Sequence, residues 1–157
     1  MLTQVFSTLS AELTVLITAA LPIIELRGAI PVGIGLGLNP IHAAVLSFIG
    51  SMMPVPIILF TIRPIFNRLK STKLFSRLIH KLVDKSHAKS GTVQKYGAWG
   101  LLIFVAIPLP GTGIWSGSLA AALLDMRFKW AFPAIFVGNI IAAVLVMTLS
   151  HGILSQF

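Results

Sequence analysis

Leu21-Pro22-Ile23-Ile24-Glu25-Leu26-Arg27-Gly28 halts an apolar stretch that begins at about Leu13. A Gly-rich piece carrying Gly33, Gly35 and Gly37 follows, ending at Asn39-Pro40. Only then does a long apolar run, Ile41 to Ile62, have the length to cross a bilayer. The pieces on either side of the break hold roughly 10–14 residues, short of the ~20 that a spanning helix needs. A hairpin that enters and leaves on one face, followed by a spanning helix, fits these lengths.

The pattern occurs a second time. Leu101–Leu109 stops at Pro110-Gly111-Thr112-Gly113, and the chain resumes from Ile114 to Leu124. It breaks again at Asp125-Met126-Arg127-Phe128-Lys129 and runs apolar from Trp130 to Leu154. Leu21-Pro22 returns as Leu109-Pro110, Ala43 as Ala131, and Phe48-Ile49-Gly50 as Phe136-Val137-Gly138, each 88 residues on. Paired interruptions in two related halves are a recurring transporter plan. The expected fold is an all-α integral membrane protein of two inverted repeats, each a re-entrant helical hairpin plus a spanning helix. Repeat 1 covers about 11–62 and repeat 2 about 96–154. A cytoplasmic amphipathic helix in segment 63–95 joins them within one membrane domain, 1–157. The first hairpin would enter from outside and the second from inside, leaving both termini external. Four plain spanning helices are the alternative, with Glu25 and Arg27 in a tight loop.

Composition agrees with a lipid environment. Hydrophobic residues make up 56% of the chain and charged residues 10%, against about 25% charged in soluble domains. The chain has no Cys, which excludes disulfides and thiolate chemistry. Residues 1–24 hold no Lys or Arg, so a cleaved signal peptide is not expected. The net charge of +8 is concentrated, with nine of the twelve basic residues between Arg63 and Lys95. Basic loops stay on the cytoplasmic side, which places 63–95 inside. Lys73, Arg77, Lys81, Lys85 and Lys89 recur every fourth position beside Leu74, Leu78 and Leu82. That spacing gives a basic helix face for anionic lipid, at about 1 kcal/mol per basic residue, and needs no nucleic acid. Ser90-Gly91 is expected to end this helix.

Four acids exist: Glu12, Glu25, Asp84 and Asp125. Asp84, Asp125 and Glu12 read as solvated. Glu25 and Arg27 would lie at a hairpin tip near the midplane, where an unpaired charge costs several kcal/mol. They are either a mutual ion pair or working groups. Each returning half-helix points its N-terminal N–H groups toward the tip. Gly28, Gly111 and Gly113 let backbone approach a ligand, and Thr112 offers a cap or a donor. With Arg27 these favour an anion, Glu25 being the group that titrates. A pocket for cationic drugs would instead use Glu25, Trp115 and Phe104. Gly33 and Gly37 read as close helix packing, Asn139 as a partner for Ser51, and Pro54 with Pro56 as a kink. His80 and His87 read as solvated, His42 and His151 as structural. No nucleophile–base pair or metal-ligand cluster is present, so no catalytic residue, metal or cofactor is expected and the chain does not read as an enzyme.

Glu25-Leu-Arg-Gly-Ala-Ile-Pro31, Gly-Leu-Asn-Pro40, Lys95-Tyr-Gly and Ile107-Pro-Leu-Pro-Gly-Thr-Gly113-Ile-Trp115-Ser-Gly117 resemble the small multidrug export protein family over about 20–145. More remotely, the layout resembles the DedA/VTT membrane proteins, some of which move undecaprenyl phosphate or phospholipids between leaflets. DedA proteins carry arginines flanking the hairpin proline; here Val105 and Ala106 precede Pro108 and Gly111 to Gly113 follow. The resemblance implies a small transporter in a prokaryotic plasma (inner) membrane, translocating an anionic lipid phosphate by ion coupling. Proton-coupled export of amphipathic or cationic drugs is the alternative, and a non-transporting assembly factor the second. The substrate-binding and coupling set is Glu25, Arg27, Gly28, Pro108, Pro110, Gly111, Thr112, Gly113, Trp115 and Asn139. Expected partners are membrane lipids, the substrate and further copies of the chain, as a homodimer or larger homo-oligomer.

Overall fold

The structure, a computed structural model, describes residues 2–70, 90–109 and 112–154. Within them the chain forms seven helices. These are α1 (Leu2–Ala20), α2 (Glu25–Gly35), α3 (Pro40–Met52), α4 (Pro54–Lys70), α5 (Ser90–Ala106), α6 (Ile114–Leu123) and α7 (Phe128–Leu154). The basic positions Lys73 to Lys89 lie outside the described residues.

Two stretches are long and apolar enough to cross a membrane: Pro40–Ile62, made of α3 and most of α4, and Phe128–Ile153 in α7. Their most apolar windows are only 33% and 39% buried. The core helix of a soluble protein would be mostly covered. Here Ile57, Phe60, Leu149 and Ile153 are all more than half exposed. An apolar surface of that extent is stable in lipid and costly in water.

The turns explain where the helices stop. Asn39 Oδ1 accepts from Ile41 N at 2.9 Å, and Pro40 opens α3 where no intrahelical N–H is missed. At the end of α2, Leu38 N donates to Gly33 O and Gly37 N to Ile34 O, each at 3.0 Å, around a left-handed Gly37 (φ 88°). The same bonds recur 88 residues later. Met126 N donates to Ala121 O at 2.9 Å and Asp125 N to Ala122 O at 3.1 Å, around a left-handed Asp125 (φ 51°). Ala43 N to Asn39 O likewise returns as Ala131 N to Arg127 O.

Packing crosses between the halves. α1 packs on α2 and α3, and α5 on α7, while α2 packs on α7 and α6 on α4. Leu26 and Ile30 of α2 meet Ala142, Ala143 and Val146 of α7. Ile114 and Ala121 of α6 meet Val55 and Leu59 of α4. Several residues 88 apart touch. Phe48 and Phe136 meet edge to face at 5.2 Å, and Asn139 Nδ2 donates to Ser51 Oγ at 2.8 Å in a fully buried contact. Gly50 and Gly138 are the close-approach points, each lying over a carbonyl of the helix it crosses, Leu16 and Leu102 respectively.

Several expectations need correction. Ser90-Gly91 begin α5 instead of ending a helix. The outer arms α1 and α5 have 19 and 17 residues, longer than expected, because the helical backbone continues through polar residues that interrupt the apolar run. Gly33 does pack tightly, since a Cβ added there would lie 2.9 Å from Val15 and Ala43 side-chain atoms, but one added at Gly37 would meet nothing within 4 Å. Its role is the left-handed turn.

Candidate functional site

The short break 21–24 after α1 meets Pro108, Leu109 and Thr112 of the break after α5. Between them is a cleft of about 330 Å³ whose walls include Ile23, Glu25, Arg27, Pro108, Leu109 and Thr112. Two charges from the start of α2 enter it from one side, and the backbone of the second break forms the other.

Glu25 is buried, and Trp115 N in the first turn of α6 donates to its Oε1 at 3.2 Å. The carboxylate therefore caps the positive end of a helix from the other half. A peptide N–H bonded to a carboxylate is charge-assisted, and the helix end adds about half a unit of opposite charge. These offset much of the several kcal/mol that burying the charge costs. The fit is close. Gly113, at φ 133°, lies against this carboxylate, and a Cβ there would be only 2.7 Å from Glu25 Cδ. Glu25 itself has φ 53°, a left-handed conformation that costs a non-glycine residue about 1–2 kcal/mol.

Arg27 does the converse. Nη1 donates to Leu109 O and to Thr112 O (2.7 Å), and Nη2 to Ile107 O (3.1 Å) and Val105 O (3.3 Å). The guanidinium thus caps the negative end of α5 and adds a second donor to carbonyls of the break beyond it, where Leu109 N already donates to Ile107 O and Thr112 N to Leu109 O. Pro108 and Pro110 lack N–H groups, which leaves this segment short of donors of its own. The Thr112 hydroxyl lies 2.8 Å from Ile107 O and 2.9 Å from Leu109 O, and accepts from Leu109 N at 3.3 Å. It ties the break together and does not cap α6.

Glu25 and Arg27 are consequently not joined as an ion pair. A separate polar contact joins the first and third helices, where His42 Nε2 lies 3.4 Å from Glu12 Oε1. The charges at the cleft are instead neutralised by the two backbone ends of the opposite half. Trp115 completes the exchange, its Nε1 donating to Ala20 O, the last carbonyl of α1, at 3.2 Å. Positions 27 and 115 are 88 apart, and each caps the outer arm of the other half.

Of the residues singled out from the sequence, Glu25, Arg27, Pro108 and Thr112 line the cleft. Gly113 and Trp115 support it from behind. Gly28 faces Ile24 of its own first turn, and Asn139 pairs with Ser51 away from the cleft. Pro110 and Gly111 lie outside the described residues. Sequence reasoning passed over Val105 and Ile107, which act through their carbonyls, and Ser116 on the cleft wall. The displacement of 88, applied to Arg27 and Trp115, was the signal that could have found this exchange of caps.

A family model described as "Putative small multi-drug export protein" matches residues 25–145. No curated protein and no solved structure matches the chain.

Proposed function

The chain belongs to the "Putative small multi-drug export protein" family, and on that premise we propose that it exchanges a small amphipathic cation for a proton at Glu25. The carrying observation is the state of the two charges. Arg27 has four of its five N–H donors committed to carbonyls, so little of it remains for an anion. Glu25 is the acidic group on the wall of a cleft it shares with Arg27, Thr112, Ser116 and apolar side chains, and a helix end holds it. With Arg27 charged throughout, carboxylate plus cation and carboxylic acid plus empty cleft carry the same net charge, and export is the alternation between these two occupancies.

The proposed architecture is a pair of inverted repeats with re-entrant hairpins α1–α2 and α5–α6, followed by spanning helices α3–α4 and α7. Hydrogen bonds and left-handed residues repeated at a displacement of 88 support this, as does the reciprocal packing of α2 on α7 and α6 on α4. Segment 63–95 is then cytoplasmic, both termini are external, and membrane lipids and further copies of the chain are the partners. In this Cys-free chain, single cysteines at Ser7, Ser86 and Ser155 are expected to react with an impermeant thiol reagent from outside, inside and outside. Labelling of Ser7 and Ser86 from one side would remove the inverted arrangement.

A second reading, translocation of a lipid phosphate, is favoured by one observation. The rim of the cleft is apolar and open, with Ile23 93% and Leu109 55% exposed, so a tail can remain in the bilayer while a head group enters. Proteoliposomes separate the two. A pH gradient is expected to drive ethidium-like dyes across the membrane, and the dyes to raise the melting temperature of the detergent-solubilised protein by linkage. Stabilisation by polyprenyl phosphate alone, with no dye movement, would transfer the site to the lipid.

A further inference from the structure

The acceptors around Arg27 have a feature that capping alone does not require. Val105, Ile107, Leu109 and Thr112 lie within eight consecutive residues, and their four carbonyl oxygens converge on one guanidinium. Two face Nη1 and two face Nη2, so the cradle is matched to a planar, forked cation. At the corresponding place in the first half a single neutral donor, the Trp115 indole, meets a single carbonyl, Ala20. The second break is therefore built to hold a cation and the first is not. Its occupant is a side chain on a different helix, reaching in from the wall of an open cleft that also presents Glu25. A bound group on a flexible stem beside an open cleft is replaceable by a free group of the same chemistry.

We propose that this cradle, the carbonyls of Val105, Ile107, Leu109 and Thr112, recognises the cationic head of the exported compound, and that Arg27 is a tethered occupant which the compound displaces. The inference rests on cation export through the cleft and narrows its substrate class to planar cations rich in N–H, guanidinium and amidinium compounds. Quaternary ammonium ions carry the charge without the donors and leave the part-buried Val105 and Thr112 carbonyls without the partner they have here, which is the stronger basis for rejection. The tether also sets the affinity. An internal competitor that fills the cradle most of the time weakens apparent binding by the fraction of time the cradle is free. It occupies these four carbonyls whenever no substrate is present.

The test uses the purified full chain, with guanidinium and tetramethylammonium chlorides at millimolar concentration, far below the denaturing range. Arg27→Gln is expected to melt below the wild type, and guanidinium to raise its melting temperature saturably while tetramethylammonium does not. Wild type is expected to need at least about tenfold more guanidinium for the same effect, because Arg27 competes. Should Arg27→Gln fail to fold, the wild type decides the matter, since guanidinium but not tetramethylammonium should compete with proton-driven dye movement in proteoliposomes. Equal effects of the two ions, or none from guanidinium, would overturn the cradle. Failure of the wider reading looks different. Saturable guanidinium binding without any proton-driven transport would leave the site and remove the transporter, whereas Glu25-dependent transport blind to guanidinium would remove only the cradle.

Discussion

Gly113→Ala is expected to destabilise the protein by at least about 3 kcal/mol. Two separate penalties meet at this position. The backbone sits at φ 133° and ψ −168°, a region essentially reserved for glycine. The added Cβ would also overlap the Glu25 carboxylate, which occupies the space a side chain would take. A double-mutant cycle separates the two. Glu25→Ala with Gly113→Ala removes the overlap and leaves the backbone strain, so a coupling of about 1–3 kcal/mol is expected between the substitutions. Melting of the four proteins in detergent measures it. Additive costs would mean that the carboxylate is not held against the α6 N-terminus.

The correspondence at a displacement of 88 was legible where it rests on side chains. Leu21-Pro22 and Leu109-Pro110 mark the breaks, and Asn39-Pro40 announced the turn after α2, whereas Gly37 was read as packing and is its left-handed residue. Its counterpart was harder to read, since the left-handed residue there is Asp125, which carries no glycine signature. The site was legible in part. Pattern alone places Glu25 and Arg27 at a break and makes that break a candidate centre. It does not say what they touch, and their proximity along the chain favours a mutual pair. The structure assigns each to an opposing helix end because orphan N–H and carbonyl groups compete for a buried charge as well as a side chain does. Those competitors are invisible in sequence. Val105 and Ile107 look like ordinary apolar residues, and only the fold reveals that their carbonyls have no helical partner. Arm lengths were misread for a related reason, since polar residues at Thr3–Ser10 end an apolar run without ending a helix.

The decisive result for function concerns Glu25→Gln, in which the site keeps its shape and loses its proton. The amide can still accept from Trp115 N, so folding is expected to survive with a change in stability smaller than that of Gly113→Ala. Coupling is expected to vanish. An obligatory one-for-one exchange makes the cation gradient follow the proton gradient, so one pH unit, about 1.4 kcal/mol, sustains an approximately tenfold accumulation. With glutamine the site carries no charge to neutralise and no proton to release, and accumulation should fall to unity whatever pH gradient is applied. The sign also fixes binding. The carboxylate form attracts a cation, so affinity for dye should fall as pH drops through the Glu25 titration, and in Glu25→Gln it should be weak and independent of pH. A lipid phosphate would behave oppositely, binding better once the carboxylate is discharged and the α6 N-terminus is freed. Dye accumulation in reconstituted vesicles, read at several pH gradients for both proteins, distinguishes these. Undiminished proton-driven accumulation by Glu25→Gln would place the coupling group elsewhere and leave Glu25 as the cap of α6 alone.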